Sequence, residues 1–256
     1  MKREIRRFPD LKELSRAASD LMIKRAEECV AERGVFTLVL SGGKTPRTLY
    51  EHLARPPVSG MMPWARTHLF WGDERCVPPD HPESNYAMAF KALLSKVPVP
   101  PQNIHRIPAE MEPPEDAAAA YEKILRGFFQ TLFNQDSHLP SSAEGSLFPS
   151  FDLILLGVGE DGHTASLFPG DEVLEERKLW VAAVRAREVL PSTPRITLTL
   201  PMINMAECVV FMVSGARKKE AVQSILEYPE KAGRVYPAAR VRPRQRVVWF
   251  LDNACV

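Results

Sequence analysis

The sequence lacks two features that would assign it to a broad class of protein. No apolar run approaches the roughly 20 residues that a membrane-spanning helix needs, so no such helix is predicted. Neither charge dominates, since 33 Lys and Arg residues stand against 32 Asp and Glu residues. A general binder of nucleic acid or of membrane surfaces would carry a basic excess. An anionic ligand would therefore have to be held by a few local cations.

Cysteine is also scarce. The four cysteines lie far apart and form no Cys-x-x-Cys pair: Cys29, Cys76, Cys208 and Cys255. This spacing predicts neither a zinc site nor a disulfide framework, and it favours reduced thiols in a reducing compartment. The segment Met1–Arg7 is charged and lacks the apolar stretch of a secretory signal. We therefore expect a cytoplasmic protein.

Helical and strand-like segments alternate along the 256 residues, and no linker divides them. Apolar periodicity and end signals predict five helices: Leu11–Arg33, a helix with Thr45 as its N-cap that ends at Leu53, Ser84–Lys96, Pro114–Phe133 and Ala216–Leu226. Short apolar runs predict seven strands: Val35–Leu40, Thr67–Trp71, Asp152–Leu156, Leu179–Val184, Arg195–Thr199, Cys208–Val213 and Arg246–Leu251. Such alternation indicates a mostly parallel sheet that is covered on both sides. The polar segment Asn134–Ser150 is expected to be a mobile loop.

A glycine-rich turn joins the first predicted strand to the following helix, with the sequence Ser41-Gly42-Gly43-Lys44-Thr45. Backbone N–H groups in such a turn, together with a helix N-terminus, present partial positive charge to an anion. Glycine allows a phosphate to approach closely, and the hydroxyls of Ser41 and Thr45 add donors. The spacing differs from that of a P-loop. The turn predicts a phosphate site, and a plain tight turn is the alternative.

Charged residues follow other predicted strands. Asp73, Glu74 and Arg75 come at a strand end, where carboxylates could bind sugar hydroxyls and a guanidinium suits the oxygens of a phosphate. Arg195 begins a strand, and Lys218 lies in a turn that opens a helix. These cations are candidates for the same phosphate, and surface charge is the alternative for each of them alone.

The segment Gly157–Gly170 is the most informative part of the chain. It follows a strongly apolar strand, so Asp161 and His163 are predicted at the strand's carboxyl end, where open α/β sheets bind ligands. Histidine can take a proton near neutral pH, and a nearby aspartate can orient it. The segment also fits the Gly-x-Gly-x-x-Gly pattern of nicotinamide-dependent oxidoreductases. Pro169-Gly170 would interrupt the helix which that pattern requires, so this alternative is weaker.

Together these segments resemble the 6-phosphogluconolactonase family over nearly the whole chain. The matching segments occur in the family's order: Leu40–Pro46, Trp71–Pro78 with Ser84-Asn85, Asp152–Gly170, Arg195–Leu200, Gly215–Lys218, Pro237–Arg242 and Trp249–Asp252. The related glucosamine-6-phosphate deaminases share the fold, but they resemble this chain less in two places. They have tyrosine where Arg75 stands, and the segment Ser166–Pro169 replaces the one that supplies their further catalytic glutamate. Lys44 and the long segment Asn134–Ser150 depart from the lactonase pattern.

The resemblance implies one Rossmann-like α/β/α sandwich domain over residues 1–256. It implies a hydrolase of the oxidative pentose phosphate pathway that opens 6-phospho-D-glucono-1,5-lactone without a metal or other cofactor. His163 would act as general base on water, while Asp161 and Asp73 would orient the histidine or sugar hydroxyls. The expected phosphate ligands are Ser41, Gly42, Gly43, Thr45, Arg75, Arg195 and Lys218. A deaminase and a non-catalytic sugar-phosphate sensor remain alternatives, and an association with glucose-6-phosphate dehydrogenase is left open.

Overall fold

The structure, a computed structural model, describes residues 2–135, 148–186 and 192–256, and in these ranges it contains two sheets. The main sheet has seven parallel strands: β1 (Lys2–Phe8), β2 (Phe36–Leu40), β3 (Thr67–Trp71), β5 (Ile104–His105), β6 (Leu153–Leu156), β9 (Cys208–Val213) and β10 (Arg246–Asp252). Their spatial order is β1-β10-β9-β6-β2-β3-β5. The smaller sheet is antiparallel and consists of β4 (Asp73–Arg75), β7 (Val181–Val184) and β8 (Arg195–Leu198). Their spatial order is β4-β8-β7.

Helices connect most of these strands. The α-helices of the described residues are α1 (Leu11–Arg33), α2 (Lys44–Leu53), α3 (Asn85–Ala92), α4 (Pro114–Gln135), α5 (Leu200–Asn204), α6 (Lys219–Glu227) and α7 (Pro229–Ala232). Within these ranges none of them is both long and apolar enough to cross a membrane.

The central strands are covered on both faces. Every residue of β2, β6 and β9 is buried, although successive side chains of a strand point to opposite faces of the sheet. Both faces must therefore pack against other elements, as is usual for parallel sheets whose crossover connections are helical. This arrangement confirms the predicted α/β/α sandwich with a mostly parallel sheet.

Local sequence explains the ends of the longest described helix. The Asp10 carboxylate accepts a hydrogen bond from the backbone N–H of Glu13 at 2.9 Å and caps the start of α1. Gly34 ends the helix with a φ of 73°, a left-handed conformation that glycine adopts without a steric penalty. Between these ends, side chains such as Leu14 and Met22 are buried in the core. The predicted bounds of this helix are confirmed.

Other predicted helix ends were wrong. The second helix begins at Lys44, with Gly43 at a φ of 102° in the N-cap position, so Thr45 is helical and is not the cap. The third helix stops at Ala92 and is followed by a separate 3-10 turn, because Leu93 leaves the helical conformation. Helix α4 continues through Asn134 to Gln135, so the predicted loop begins later than expected. Positions 136–147 of that loop lie outside the described residues.

The sequence analysis missed the two edge strands of the main sheet. Strand β1 is dominated by charged side chains, which an edge strand tolerates because one of its sides faces solvent. Strand β5 has only two residues. The strands β7 and β8 were predicted, but they lie in the antiparallel sheet, where β8 pairs with β4 on one side and with β7 on the other.

Candidate active site

A cleft with a volume of about 470 Å³ lies at the carboxyl ends of four neighbouring strands, β9, β6, β2 and β3. The chain leaves β2 toward β3 on one side, while β6 lies on the other side, so the cleft occupies a switch point of the sheet. Nine of the ten predicted site residues line it: Ser41, Gly42, Gly43, Thr45, Asp73, Arg75, His163, Arg195 and Lys218. The tenth, Asp161, does not line the cleft but is bonded to His163.

His163 and Asp161 form the most direct side-chain contact of the site. Asp161 Oδ1 lies 2.5 Å from His163 Nδ1 and also accepts the backbone N–H of His163 at 3.1 Å. Burial alone would raise the pKa of Asp161, but the hydrogen bonds and the charge of His163 outweigh it and lower that pKa. A carboxylate at Nδ1 favours the tautomer with the proton on that nitrogen, which leaves Nε2 as the acceptor. Asp161, not Asp73, is therefore the aspartate that contacts the histidine.

Glycines shape the turn that holds this pair. A Cβ at Gly159 would overlap both the His163 ring and the Asp161 carboxylate, so only glycine leaves them room. Gly162 has a φ of 76°, and the ring of Tyr236 packs where its side chain would be. No α-helix follows these glycines between 157 and 175. Their spacing thus serves a tight histidine turn and does not support the nicotinamide-binding alternative.

The two neighbouring acidic residues have different roles in the structure. Asp73 is buried at the cleft, where its Oδ2 accepts a 2.7 Å hydrogen bond from Ser166. Both oxygens of Glu74 accept hydrogen bonds, from two backbone N–H groups and the Ser84 hydroxyl at the start of α3 and from the Arg75 N–H on β4. Burial raises the pKa of Glu74 despite these four hydrogen bonds. Glu74 therefore anchors α3, and the idea that it binds sugar hydroxyls was wrong.

Two arginines face each other across the small sheet. Arg75 and Arg195 are directly paired residues of the antiparallel strands β4 and β8, and both line the cleft. The Nε atom of each is buried, and neither Nε has a hydrogen-bond partner within the described ranges. Burial lowers the pKa of Arg195, and the adjacent charge of Arg75 lowers it further. Arg75 donates one hydrogen bond from Nη1 to the Glu83 carbonyl, but two adjacent guanidinium groups with unsatisfied Nε atoms are still suited to binding a dianion.

The glycine-rich turn lies on another wall of the cleft. The buried Tyr50 hydroxyl fixes the backbone of Ser41, because it accepts the Ser41 N–H at 2.9 Å and donates to the Ser41 carbonyl at 2.8 Å. A Cβ at Gly42 would overlap the Asn85 side chain, which explains the glycine at that position. Ser41, Gly42, Gly43 and Thr45 thus line the cleft at the start of α2, where the N-terminus of a helix favours an anion.

A third cationic group comes from the turn after β9. Asp252 holds this turn, since its carboxylate accepts the Ser214 hydroxyl at 2.5 Å and the Gly215 N–H at 3.2 Å. Burial lowers the pKa of Lys218, against the opposing effects of nearby Glu160 and Asp161. Among the described residues, no cluster of three or more His, Cys, Asp or Glu side chains is arranged to hold a metal ion.

Sequence reasoning missed several residues that hold the site in place. Asn85, Ser166 and Asp252 lie in segments that carry the family resemblance, but only their long-range partners reveal what they do. Tyr50 and Tyr236 gave no sequence signal, because a tyrosine within a helix or loop is ordinarily part of the core.

The chain is similar to known proteins over nearly its whole length. The model of the family "Glucosamine-6-phosphate isomerases/6-phosphogluconolactonase" matches residues 9–249. A 6-phosphogluconolactonase of Nostoc sp. is 40% identical over 99% of this chain and 97% of its own length. Another, of Synechocystis sp., is 43% identical over 91% of this chain and 92% of its own length. The solved structure of 6-phosphogluconolactonase from Trypanosoma cruzi is similar with a TM-score of 0.84 and 28% identity, over 99% of this chain and 96% of that one.

The family match covers all four strand ends that form the cleft. The Nostoc and Synechocystis relatives are both named 6-phosphogluconolactonase, which is one of the two enzyme names in the description of that family. The fold, the strand-end cleft and these similarities lead to one conclusion. This chain belongs to the glucosamine-6-phosphate isomerase/6-phosphogluconolactonase family.

Proposed function

We propose that this chain hydrolyses 6-phospho-D-glucono-1,5-lactone to 6-phosphogluconate. The names of its full-length relatives support the substrate. The observation that carries the proposal is the placement of an Asp161–His163 pair and an arginine pair in one cleft. The first can activate water, and the second can bind a phosphate. This combination matches a substrate that has a reactive carbonyl at one end and a phosphate at the other.

His163 acts as general base in the proposed mechanism. Its Nε2 takes a proton from water as the water oxygen attacks the lactone carbonyl, while Asp161 holds the ring through Nδ1. The same nitrogen returns the proton to the ring oxygen as the bond between that oxygen and the carbonyl carbon breaks. The product acid then ionises and releases a proton to solvent. A positioned general base contributes roughly 10²–10⁴-fold to the rate.

The phosphate is bound away from the reacting carbonyl. Arg75 and Arg195 form the main contact in this proposal. Lys218 adds a third cation from the same cleft, and the turn of Ser41, Gly42, Gly43 and Thr45 supplies neutral donors. Asp73 accepts hydroxyls of the sugar. Binding energy from the remote phosphate then fixes the lactone in front of His163, which favours reaction by positioning.

A glucosamine-6-phosphate deaminase is the second candidate, and the segment after His163 disfavours it. Residues 164–170 contain no carboxylate, and the Phe168 ring packs against the histidine with its centroid 4.7 Å away. A carboxylic acid from this segment is therefore not available for ring opening of an amino sugar. Arg75 also stands where the deaminases that this chain resembles have tyrosine.

The test is hydrolysis of freshly generated 6-phosphogluconolactone, followed by proton release above the spontaneous rate, with and without EDTA. We expect acceleration that survives EDTA. Ammonia release from glucosamine-6-phosphate would instead establish the deaminase, and phosphate binding by folded protein without turnover of either substrate would establish a sensor.

Two further expectations accompany this proposal. A cytoplasmic location is supported by the dispersed cysteines, and fractionation of the source cells tests it. Association with glucose-6-phosphate dehydrogenase also stays a prediction, and co-sedimentation of the two purified proteins tests it.

A further inference from the structure

Ser166 joins two parts of the cleft that are distant in sequence. It is completely buried, and its hydroxyl donates to Asp73 Oδ2 at 2.7 Å. Its backbone N–H donates to the Thr197 hydroxyl on β8 at 3.3 Å. Ser166 therefore connects the histidine loop to the strands that carry the arginine pair. The proposed mechanism does not use Ser166.

The backbone beside Ser166 is strained. Ala165 has a φ of 48°, the left-handed conformation that costs a residue with a Cβ about 1–2 kcal/mol. Hydrogen bonds on both sides of Ala165 hold it there, because Thr164 Oγ1 donates to the Gly157 carbonyl at 2.8 Å and the Leu167 N–H donates back across Ala165 to the Thr164 carbonyl at 3.0 Å. Strain of this kind persists where the surroundings over-determine it, commonly at functional sites. Here its consequence is that the Ser166 side chain turns inward to Asp73.

The hydrogen bonds of Asp73 leave one oxygen for a ligand. Oδ2 is taken by Ser166, whereas Oδ1 has only a long contact of 3.4 Å from the Asn85 amide. That amide makes its shorter hydrogen bond, at 2.9 Å, to the Asp73 carbonyl. A carboxylate oxygen has room for more than one donor. Oδ1 is therefore the atom of Asp73 that remains available to a hydroxyl in the cleft.

We propose, on the basis of the proposed function, that Ser166 is a positioning residue that orients Asp73 so that Oδ1 accepts a ring hydroxyl of the lactone. Ser166 does not touch the substrate. It fixes the rotation of the carboxylate about its Cβ–Cγ bond, and this rotation decides whether Oδ1 faces the bound sugar. Without the serine hydroxyl, Oδ2 would be left unsatisfied in a buried position and would compete for the same donors.

The experiment compares Ser166→Ala with a control that loses a similar hydrogen bond elsewhere. Thr37→Val is the control, because the buried Thr37 hydroxyl donates to the Asp152 carboxylate and accepts the Asp152 N–H, each at 2.9 Å, near the amino end of β2 and away from the cleft. Four quantities are measured for each protein: kcat and KM for the lactone, the Kd for inorganic phosphate, and the melting temperature.

We expect Ser166→Ala to lower kcat/KM by about tenfold to 100-fold, as for loss of a hydrogen bond to a charged group. The Kd for phosphate should stay within about twofold, since the arginine pair is intact. Thr37→Val should lower the melting temperature but leave kcat/KM unchanged. In an Asp73→Ala background, Ser166→Ala should cause no further loss beyond about twofold, because its target is gone.

Three results would overturn the assignment of Ser166. The first is an unchanged kcat/KM in Ser166→Ala, and the second is a loss of kcat/KM equal to that of Thr37→Val. The third is a double variant whose loss of kcat/KM is the product of the losses caused by Ser166→Ala and Asp73→Ala alone. If the alanine variant does not fold, Ser166→Cys replaces it and should retain an intermediate kcat/KM through its weaker donor. Wild-type protein that binds phosphate but does not hydrolyse the lactone would contradict the proposed function itself, before any variant is compared.

Discussion

The facing arginines predict that Arg195→Met will bind phosphate less well and yet unfold at a higher temperature. Arg75 and Arg195 are direct cross-strand partners, and like charges in this position destabilise a sheet by about 0.2–1 kcal/mol. Methionine keeps most of the unbranched stem of arginine, so the packing is largely preserved while the charge and the unsatisfied Nε are removed. For a chain of this size the gain corresponds to a rise of about 1–4 °C in melting temperature.

The loss of affinity follows from the same residue. A hydrogen bond to a charged group contributes about 1.5–3 kcal/mol, so the Kd for inorganic phosphate should rise by about tenfold to 150-fold. The assay is thermal unfolding with increasing phosphate at constant ionic strength, because a ligand that binds only the folded state raises the melting temperature. In Arg195→Met, the melting temperature without phosphate should be higher than that of the wild type, and the rise in melting temperature caused by phosphate should be smaller.

A control arginine distinguishes this effect from a general loss of charge. Arg126 pairs with Glu122 at 2.6 Å and lies over the Trp180 ring at 4.1 Å, so its charge has favourable partners. Arg126→Met should therefore lower the melting temperature and keep the phosphate response. The reasoning would be refuted if Arg195→Met were less stable than wild type, or if it retained the full phosphate shift.

Three further substitutions test other parts of the structure. Burial and the neighbouring His68 lower the pKa of His105 from 6.5 to about 4, so the folded chain binds fewer protons than the unfolded chain between these values, and stability is lost as the pH falls through that window. Between pH 7 and pH 4, the free energy of unfolding of the wild type should fall by about 2 kcal/mol more than that of His105→Phe, after allowance for solvent screening. Denaturant titrations at the two pH values measure this difference, and equal falls in both proteins would contradict the prediction. Ala165→Gly should raise the melting temperature by a few degrees through relief of about 1 kcal/mol of strain, and a lower value would show that the φ of 48° is not strained. Gly159→Ala should lower kcat for the lactone about 10²-fold by displacing the His163 ring while phosphate still binds, and a normal kcat would contradict the overlap.

The sequence was sufficient to predict elements whose pattern depends on burial or on local turns. Strands such as Leu153–Leu156 read clearly because both of their faces are covered, so nearly every residue is apolar. Glycines and charged residues at strand ends predicted most of the cleft. The charged strand Lys2–Phe8 was missed, since its stability comes from pairing with β10 at the other end of the chain. Pairing between distant segments leaves no local pattern.

The site shows the same difference between local contacts, which the sequence can predict, and contacts between distant segments, which it cannot. The Asp161–His163 contact spans two residues and was predictable from the turn, whereas the Arg75–Arg195 pair depends on the register of two strands far apart in sequence. The contact between Ser166 and Asp73 is likewise invisible until the fold brings the histidine loop onto β4.

The most direct test of the account is the turnover of 6-phosphogluconolactone by His163→Ala beside the wild-type chain, with spontaneous hydrolysis subtracted. We expect the wild type to accelerate hydrolysis, and we expect the variant to fold, to bind phosphate as before and to lose about 10²–10⁴-fold in kcat. Unchanged turnover in the folded variant would remove His163 as the base, and absence of hydrolysis by the wild type would contradict the proposed function.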